Sequence, residues 1–521
     1  MFINGYMSIH RGFIIMANGF LPGRYTERDF YRQPDISDRL NKIGINAEDI
    51  QGVTVKEEGF SLFDTATLKN INLSDVNNNV LGTLFAKIYS VGKRRERVYI
   101  SRFPRRLEQD VLYSFENLKF QNDLKLPVPV VIHQGVTKEI SKEHSHDEYV
   151  YVLLTEYWEG PTADQDVIAL RKLIDARKEK LKSDKFIDED EKKVLAVDID
   201  GLRDVIKKDI VSKSLDTVIE FAGCTTDIIE NNNFRLPNTS IKVDIEKDPY
   251  EFYIGKRGRQ FKAVLYWNLV NQGVKSKTEI IAEDGPLKSF ATGKWKEFQY
   301  LLKPLVGYMF LNGRKVYSQG DQHLHHFKRH KRKSDSLMGI FDMGSVRMED
   351  PMFGPVRVLS SHLLGLGRKE IRELYSEKLS KYLTHFNPNI AEKDIELAFE
   401  LNMIPESLWS ASRRTYDSLY NTQEYDSVIG SVGEKSKIYR GHTTSGEKLI
   451  LPRNIELPEA IDHRLYSVPV AIASSKRTLR DIVQGLNSDI SGYYDKPALK
   501  EPLRKLYAFI EKNIIETDII N

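Results

Sequence analysis

Residues 317 to 327 read YSQGDQHLHHF, an acid set among three histidines with a glycine just before it. A second acid, Asp342, follows in SLMGIFDMG, where the apolar run from Leu337 to Phe341 predicts a strand ending at the carboxylate, with Gly344 beyond it. Two carboxylates in this order can divide the work of phosphoryl transfer. One accepts or orients a hydroxyl proton, and the other holds a divalent metal on a nucleotide's phosphates. Both are needed because the transferred group is multiply negative: the nucleophile must be oriented and the charge on the phosphate oxygens neutralised. The histidines admit a different chemistry. His323, His325, His326 and His330 have the short spacing of zinc ligands, although structural zinc takes four ligands and catalytic zinc three. The other tight pair, His144 and His146, falls in an expected hairpin turn. A loop whose histidines only pack is the third reading.

The elements that must position these acids can be read from periodicity. LKNINLSD (68–75), VLGTLFAKIYSVG (80–92) and RVYISRF (97–103) alternate or are rich in β-formers and predict three strands. RRLEQDVLYSFENLKF places Leu107, Val111, Leu112 and Phe115 at helical spacing. LPVPVVIHQG and YVYVLLTEYWEG predict two further strands, completing a small α+β unit. Beyond Gly160 the texture turns helical and charged, with amphipathic runs at 164–184 and 202–223 joined by a solvated connection, KSDKFIDEDEKK. A strand-rich insert is expected at 236–270, an apolar helix from 293 into the acid-bearing segment, and helices to the end of the chain. Residues 1–64 read as an N-terminal extension with a helical stretch at DISDRLNKIG.

With both acids and the upstream order in place, the chain resembles the aminoglycoside phosphotransferase and choline kinase-like families. Their pattern is His-Gly-Asp-x-His-x-x-Asn followed by an apolar strand ending in Asp-x-Gly, carried here by Gly320, Asp321, His323, Asp342 and Gly344. The resemblance covers roughly residues 65–160 and 295–415. It implies a two-lobed protein kinase-like α+β fold: a strand-rich N-lobe at 65–158, a mainly helical C-lobe at 159–420 with an insertion at about 165–290, and a C-terminal helical extension at 421–521. It implies ATP and Mg²⁺ (or Mn²⁺) as cofactors and a hydroxyl of a small molecule as acceptor. Asp321 would be the catalytic base with His323 locking its loop. Asp342 would be the main metal ligand, and His326, where the family has Asn, the second. Imidazole suits Mn²⁺ or Zn²⁺ better than Mg²⁺. Arg102, oriented by Glu108, would meet the phosphates, with Lys87 of the neighbouring strand as the other candidate. NNNVLGTLF, with Asn79, Gly82 and Thr83, would be the phosphate loop, and Glu156 and Tyr157 would stand in the hinge that receives adenine. Gln319 replaces the pattern's first His.

Composition sets the remaining bounds. Across 521 residues, 77 Lys and Arg nearly cancel 74 Asp and Glu, so a net charge of +3 gives no overall field for a polyanion. The basic run at 328–333 and the basic and aromatic stretch at 253–267 leave local nucleic-acid contact as a further reading. Cys224 is the only cysteine, which excludes an intrachain disulfide and a cysteine-rich zinc site. No apolar run approaches the roughly 20 residues that span a bilayer, so a cytoplasmic protein is expected. The imperfect positions in the motif keep a second class open, a pseudokinase that uses the same fold as a binding or scaffold module.

Overall fold

Alternating apolar and polar residues build the small lobe. Strands β1 (Gly52–Ser61), β2 (Ala66–Ser74), β3 (Val80–Val91), β4 (Val131–Glu139) and β5 (Glu148–Glu156) form one antiparallel sheet in the order β1-β2-β3-β5-β4. The computed structural model describes residues 27–61, 66–91, 108–139, 148–183, 188–246, 286–310, 314–329, 337–361, 364–421, 480–481 and 497–516. The expected strand RVYISRF, Arg102, His144, His146, His330 and the 253–267 stretch lie outside these residues.

The period of two puts Leu84 and Ala86 of β3 into a small-lobe core with Ile71, Leu73, Val152 and Leu154. Helix α1 (Pro34–Lys42) covers that core with Ile36 and Leu40, and its Arg39 donates to the Val131 carbonyl of β4 at 3.4 Å. The sheet thus begins at Gly52, inside the stretch expected to be an N-terminal extension. β1 escapes a periodicity search because it carries Lys56, Glu57, Glu58 and Gly59, the charge and bulge usual in an edge strand. Helix α2 (Glu108–Asp123) crosses between β3 and β4.

In the large lobe, α3 (Ala163–Ser183), α4 (Glu189–Asp204) and α5 (Lys213–Asn231) run through the stretch expected to be an insertion. They bury Val167, Ile174, Ile199, Leu215, Val218 and Phe221 in the same core as Tyr317, Leu324 and Phe327 of the acid-bearing segment. α4 starts inside the charged run read as a connection, because the Asp188 side chain accepts the Glu191 N–H at 2.7 Å and caps it. α6 (Pro286–Leu302) leads to four short strands: β6 (Val316–Ser318), β7 (Phe327–Arg329), β8 (Met338–Ile340) and β9 (Arg347–Glu349). β6 pairs with β9 and β7 with β8, so Asp321 lies between β6 and β7, and Asp342 between β8 and β9.

α5 fixes both ladders. Thr226 Oγ1 accepts the Tyr317 N–H at 3.1 Å, and Thr217 Oγ1 accepts the Met338 N–H at 2.9 Å. Helices α7 (Phe353–Leu359), α8 (Arg368–Phe386), α9 (Glu392–Asn421) and α10 (Pro497–Ile510) complete the lobe. α10 meets α6 through Phe509 and Phe298, whose rings are 6.0 Å apart. This is a two-lobed kinase-like fold with a C-terminal helical extension. Among the described residues no helix is long and apolar enough to cross a membrane.

One buried charge supports the paired ladders. Glu349, fully buried on β9, accepts from Arg357 at 2.7 and 3.2 Å, from Arg347 at 2.8 Å and from Ser318 Oγ at 2.6 Å. Burial pushes its carboxyl up, but Arg357 and Arg347 outweigh burial and hold it at about 2. A folded value below the unfolded one gives stability that is present above about pH 4 and lost as pH falls towards the folded value. Glu349→Gln is expected to cost about 3 kcal/mol at neutral pH by leaving two guanidinium groups without their carboxylate, and to flatten the loss of stability between about pH 4 and 2. Denaturant unfolding at several pH values measures both, and unchanged stability would refute this role.

Candidate active site

Gly320 opens the loop that carries Asp321. Its φ of +80° favours glycine, and a Cβ there would meet the Ser345 carbonyl oxygen at 1.9 Å, so the two acid-bearing loops touch at this position. Arg347 donates to the Gly320 carbonyl at 3.0 Å, which ties the loop to the Glu349 network beneath. Asp321 is followed by a short 3₁₀ turn, Leu324–His326, anchored by buried Leu324 and Phe327.

The side chains around Asp321 converge. His323 Nε2 lies 3.1 Å from Asp321 Oδ1. His326 Nδ1 lies 2.6 Å from the Asp321 carbonyl oxygen, so Nδ1 donates there and leaves the other ring nitrogen for a second partner. That nitrogen, Nε2, is 3.6 Å from Asp342 Oδ2. Burial pushes the Asp321 carboxyl up, but the adjacent His323 ring, its hydrogen bond, and His326 and His325 together hold it well below the usual carboxylate range. A carboxylate so held is a proton acceptor, not a donor, near neutrality.

Asp342 adopts left-handed backbone, φ +65° and ψ +72°, a region that Asp and Asn enter more readily than other non-glycine residues. Gln319 holds it there. Its Nε2 donates to the Asp342 carbonyl at 2.6 Å, while its Oε1 accepts the Asp321 N–H at 2.8 Å. One buried amide therefore spans the two loops, a role that an amide fills because it carries a donor and an acceptor on one plane. The sequence flagged Gln319 only as a departure from the family pattern.

The small lobe contributes a cation. The alternation that buries Leu84 and Ala86 turns Phe85, Lys87 and Tyr89 to the other face of β3. Lys87 Nζ reaches Asp342 Oδ1 at 3.4 Å, with its side chain mostly shielded from solvent. Of the two cations the sequence offered, Lys87 is brought to the acids, and Arg102 lies outside the described residues. Glu108 begins α2. α2 docks on the turn after Asp342, where Tyr113 Oη donates to the Val346 carbonyl at 2.7 Å. At the hinge, Phe85 and Tyr157 have ring centroids 6.5 Å apart, and Lys328 Nζ lies 5.6 Å from the Tyr157 ring centroid and 5.9 Å from that of Phe341. Phe85 was missed from sequence, although the period of β3 was an available signal, and Lys328 was read only as part of the basic run at 328–333.

The other expected residues contact neighbours in the small lobe. Asn79 bonds Asp75 at the β2–β3 turn, and Thr83 Oγ1 donates to Asn72 Oδ1 at 2.9 Å. Gly82 packs on Ile45, whose Cδ1 would be 2.4 Å from a Cβ placed there. Glu156 is buried, and its Oε2 accepts the Val130 N–H at 3.4 Å.

No family model and no curated protein matches the chain. Solved structures do. An aminoglycoside-3'-phosphotransferase of type VIII matches at 13% identity over 72% of this chain and 100% of its own, with a TM-score of 0.33. An amicoumacin kinase matches at 10% identity over 77% and 92%, with a TM-score of 0.37. A Plasmodium vivax ethanolamine kinase matches at 10% identity over 79% and 89%, with a TM-score of 0.27.

Gln319→Leu is expected to cost about 2–3 kcal/mol, because it leaves the Asp321 N–H and the Asp342 carbonyl without their partner in a closed environment. Chemical denaturation measures this, and a loss below about 0.5 kcal/mol would show that the two loops hold themselves.

Proposed function

We propose that this protein transfers a phosphoryl group from ATP to a hydroxyl of a small molecule. The observation that carries the proposal is convergence: Asp321, His326 and Asp342 from the large lobe and Lys87 from the small lobe form one chain of contacts between 2.6 and 3.6 Å.

In this reading Asp321 takes the hydroxyl proton as the acceptor oxygen bonds to the γ-phosphorus and the bond to the ADP oxygen breaks. The neighbouring imidazoles keep Asp321 ionised, and His323 fixes its orientation. Lys87 faces the phosphates from above, and Phe85 and Tyr157 offer aromatic faces to the adenine. Asp342 and His326 Nε2, 3.6 Å apart, would hold a divalent ion. A divalent ion, when bound, supplies charge neutralisation on the phosphate oxygens. A carboxylate with an imidazole suits Mn²⁺ better than Mg²⁺, which prefers oxygen throughout. The same substitution favours the second reading, a fold retained for nucleotide or partner binding without turnover.

Release of ADP in the presence of a panel of hydroxylated small molecules separates the two readings. Asp321→Asn is expected to lower turnover by roughly 10²–10⁴-fold while nucleotide binding persists. His326→Asn is expected to shift the metal preference from Mn²⁺ to Mg²⁺. Turnover equal to wild type in Asp321→Asn sinks the assignment of the base. Nucleotide binding without turnover on any acceptor supports the second reading.

A further inference from the structure

The geometry points to a second metal site in the same loop. We propose that Asp321, His325 and His326 bind a late first-row divalent ion such as Zn²⁺, and that filling this site switches phosphoryl transfer off. The site stands on its own geometry; the switch rests on the function proposed above.

One ligand atom from each of the three residues lies within 4.8 Å of the other two. Two imidazoles and a carboxylate make a donor set that favours Zn²⁺ and its neighbours over Mg²⁺, and three protein ligands with an open position is the usual count for an accessible zinc ion. Asp342 is not among the three, so this site is distinct from the pair formed by Asp342 and His326.

The turn that carries the ligands is already ordered. The His326 N–H donates to the His323 carbonyl at 2.8 Å, and the Phe341 N–H donates to the His326 carbonyl at 3.1 Å. His325 stacks against His323, with ring centroids 5.7 Å apart and planes 8° from parallel, and its centroid lies 3.9 Å from that of His326. Leu324 points into the core. Little chain entropy is therefore left to lose on capture of an ion. His325 is partly exposed, so an ion can reach the site from solvent.

The consequence follows from shared residues. An ion held by Asp321 occupies the carboxylate that must accept the hydroxyl proton, and an ion held by His326 engages the imidazole that the Asp342 pair also needs. Zn²⁺ at this site and turnover with Mn²⁺ exclude each other.

The test titrates metal-free protein with Zn²⁺ against a chromophoric zinc chelator, without nucleotide. Wild type is expected to bind one equivalent. His325→Phe, which keeps a ring to stack on His323 and His326 but offers no donor, is expected to bind at least about tenfold more weakly. His325→Cys, which returns a zinc ligand, is expected to restore binding and separates ligand loss from misfolding. With Mn²⁺ and ATP, Zn²⁺ is expected to inhibit wild type at lower concentration than His325→Phe. Equal Zn²⁺ affinity in wild type and His325→Phe overturns the site, as does loss of Zn²⁺ binding in Asp342→Ala matching that in His325→Phe. Zn²⁺ binding by wild type that leaves turnover intact overturns the switch. Zn²⁺ binding as expected by a protein that binds no nucleotide upholds the site and counts against the phosphotransferase reading.

Discussion

A carboxylate buried without solvent must be matched by charge brought by the fold, and Glu349 sets that demand at the centre of the large lobe. Arg357 and Arg347 meet it, and Ser318 adds a hydroxyl. The network reaches the site through two strands. Ser318 ends β6 just before the loop that carries Asp321, and Arg347 begins β9 just after the turn that carries Asp342. Arg347 then reaches the Gly320 carbonyl. A buried ion pair contributes little net stability against an apolar replacement, but removing one partner is expensive, so the arrangement locks the geometry once it has formed.

On that base, the two loops are held against each other by contacts that use backbone groups more than side chains. Gly320 approaches the Ser345 carbonyl too closely for any Cβ. Gln319 spans from the Asp321 N–H to the Asp342 carbonyl. His326 turns one nitrogen to the Asp321 carbonyl and the other to the Asp342 carboxylate. The left-handed backbone of Asp342, which costs about 1 kcal/mol for an ordinary residue, is maintained by this surround. The result is a pair of carboxylates, each presented from a short loop beside a paired ladder.

Much of this was legible because it has a period or a motif. The strand before Asp342 runs Met338–Ile340 within the apolar stretch that predicted it, and α1 and α3 follow their amphipathic patterns. Other features had no such signal. β1 hides its strand character behind the charge and bulge that protect an edge. Gln319 differs from the His of the motif that the loop resembles, yet which groups its amide joins depends on two loops more than twenty residues apart in sequence. The period of β3 sets the face that Lys87 occupies, but the group it meets there, Asp342, lies 255 residues away in sequence and no local pattern encodes that contact. The capped start of α4 at Glu189 was masked by a charge run that reads equally well as a loop.

In the proposed reading both lobes form one nucleotide cleft, and among the described residues Lys87 of the small lobe contacts Asp342 of the large lobe. The most direct measurement is the ATP affinity of Lys87→Met, in the presence of Mn²⁺, by calorimetry. Met keeps the length and apolar stem of the side chain and removes the charge. A loss of at least about tenfold in affinity, about 1.4 kcal/mol, is expected, with the melting temperature of the free protein nearly unchanged. ATP affinity equal to wild type in a folded variant would contradict it, because no phosphate would then lie between Lys87 and Asp342.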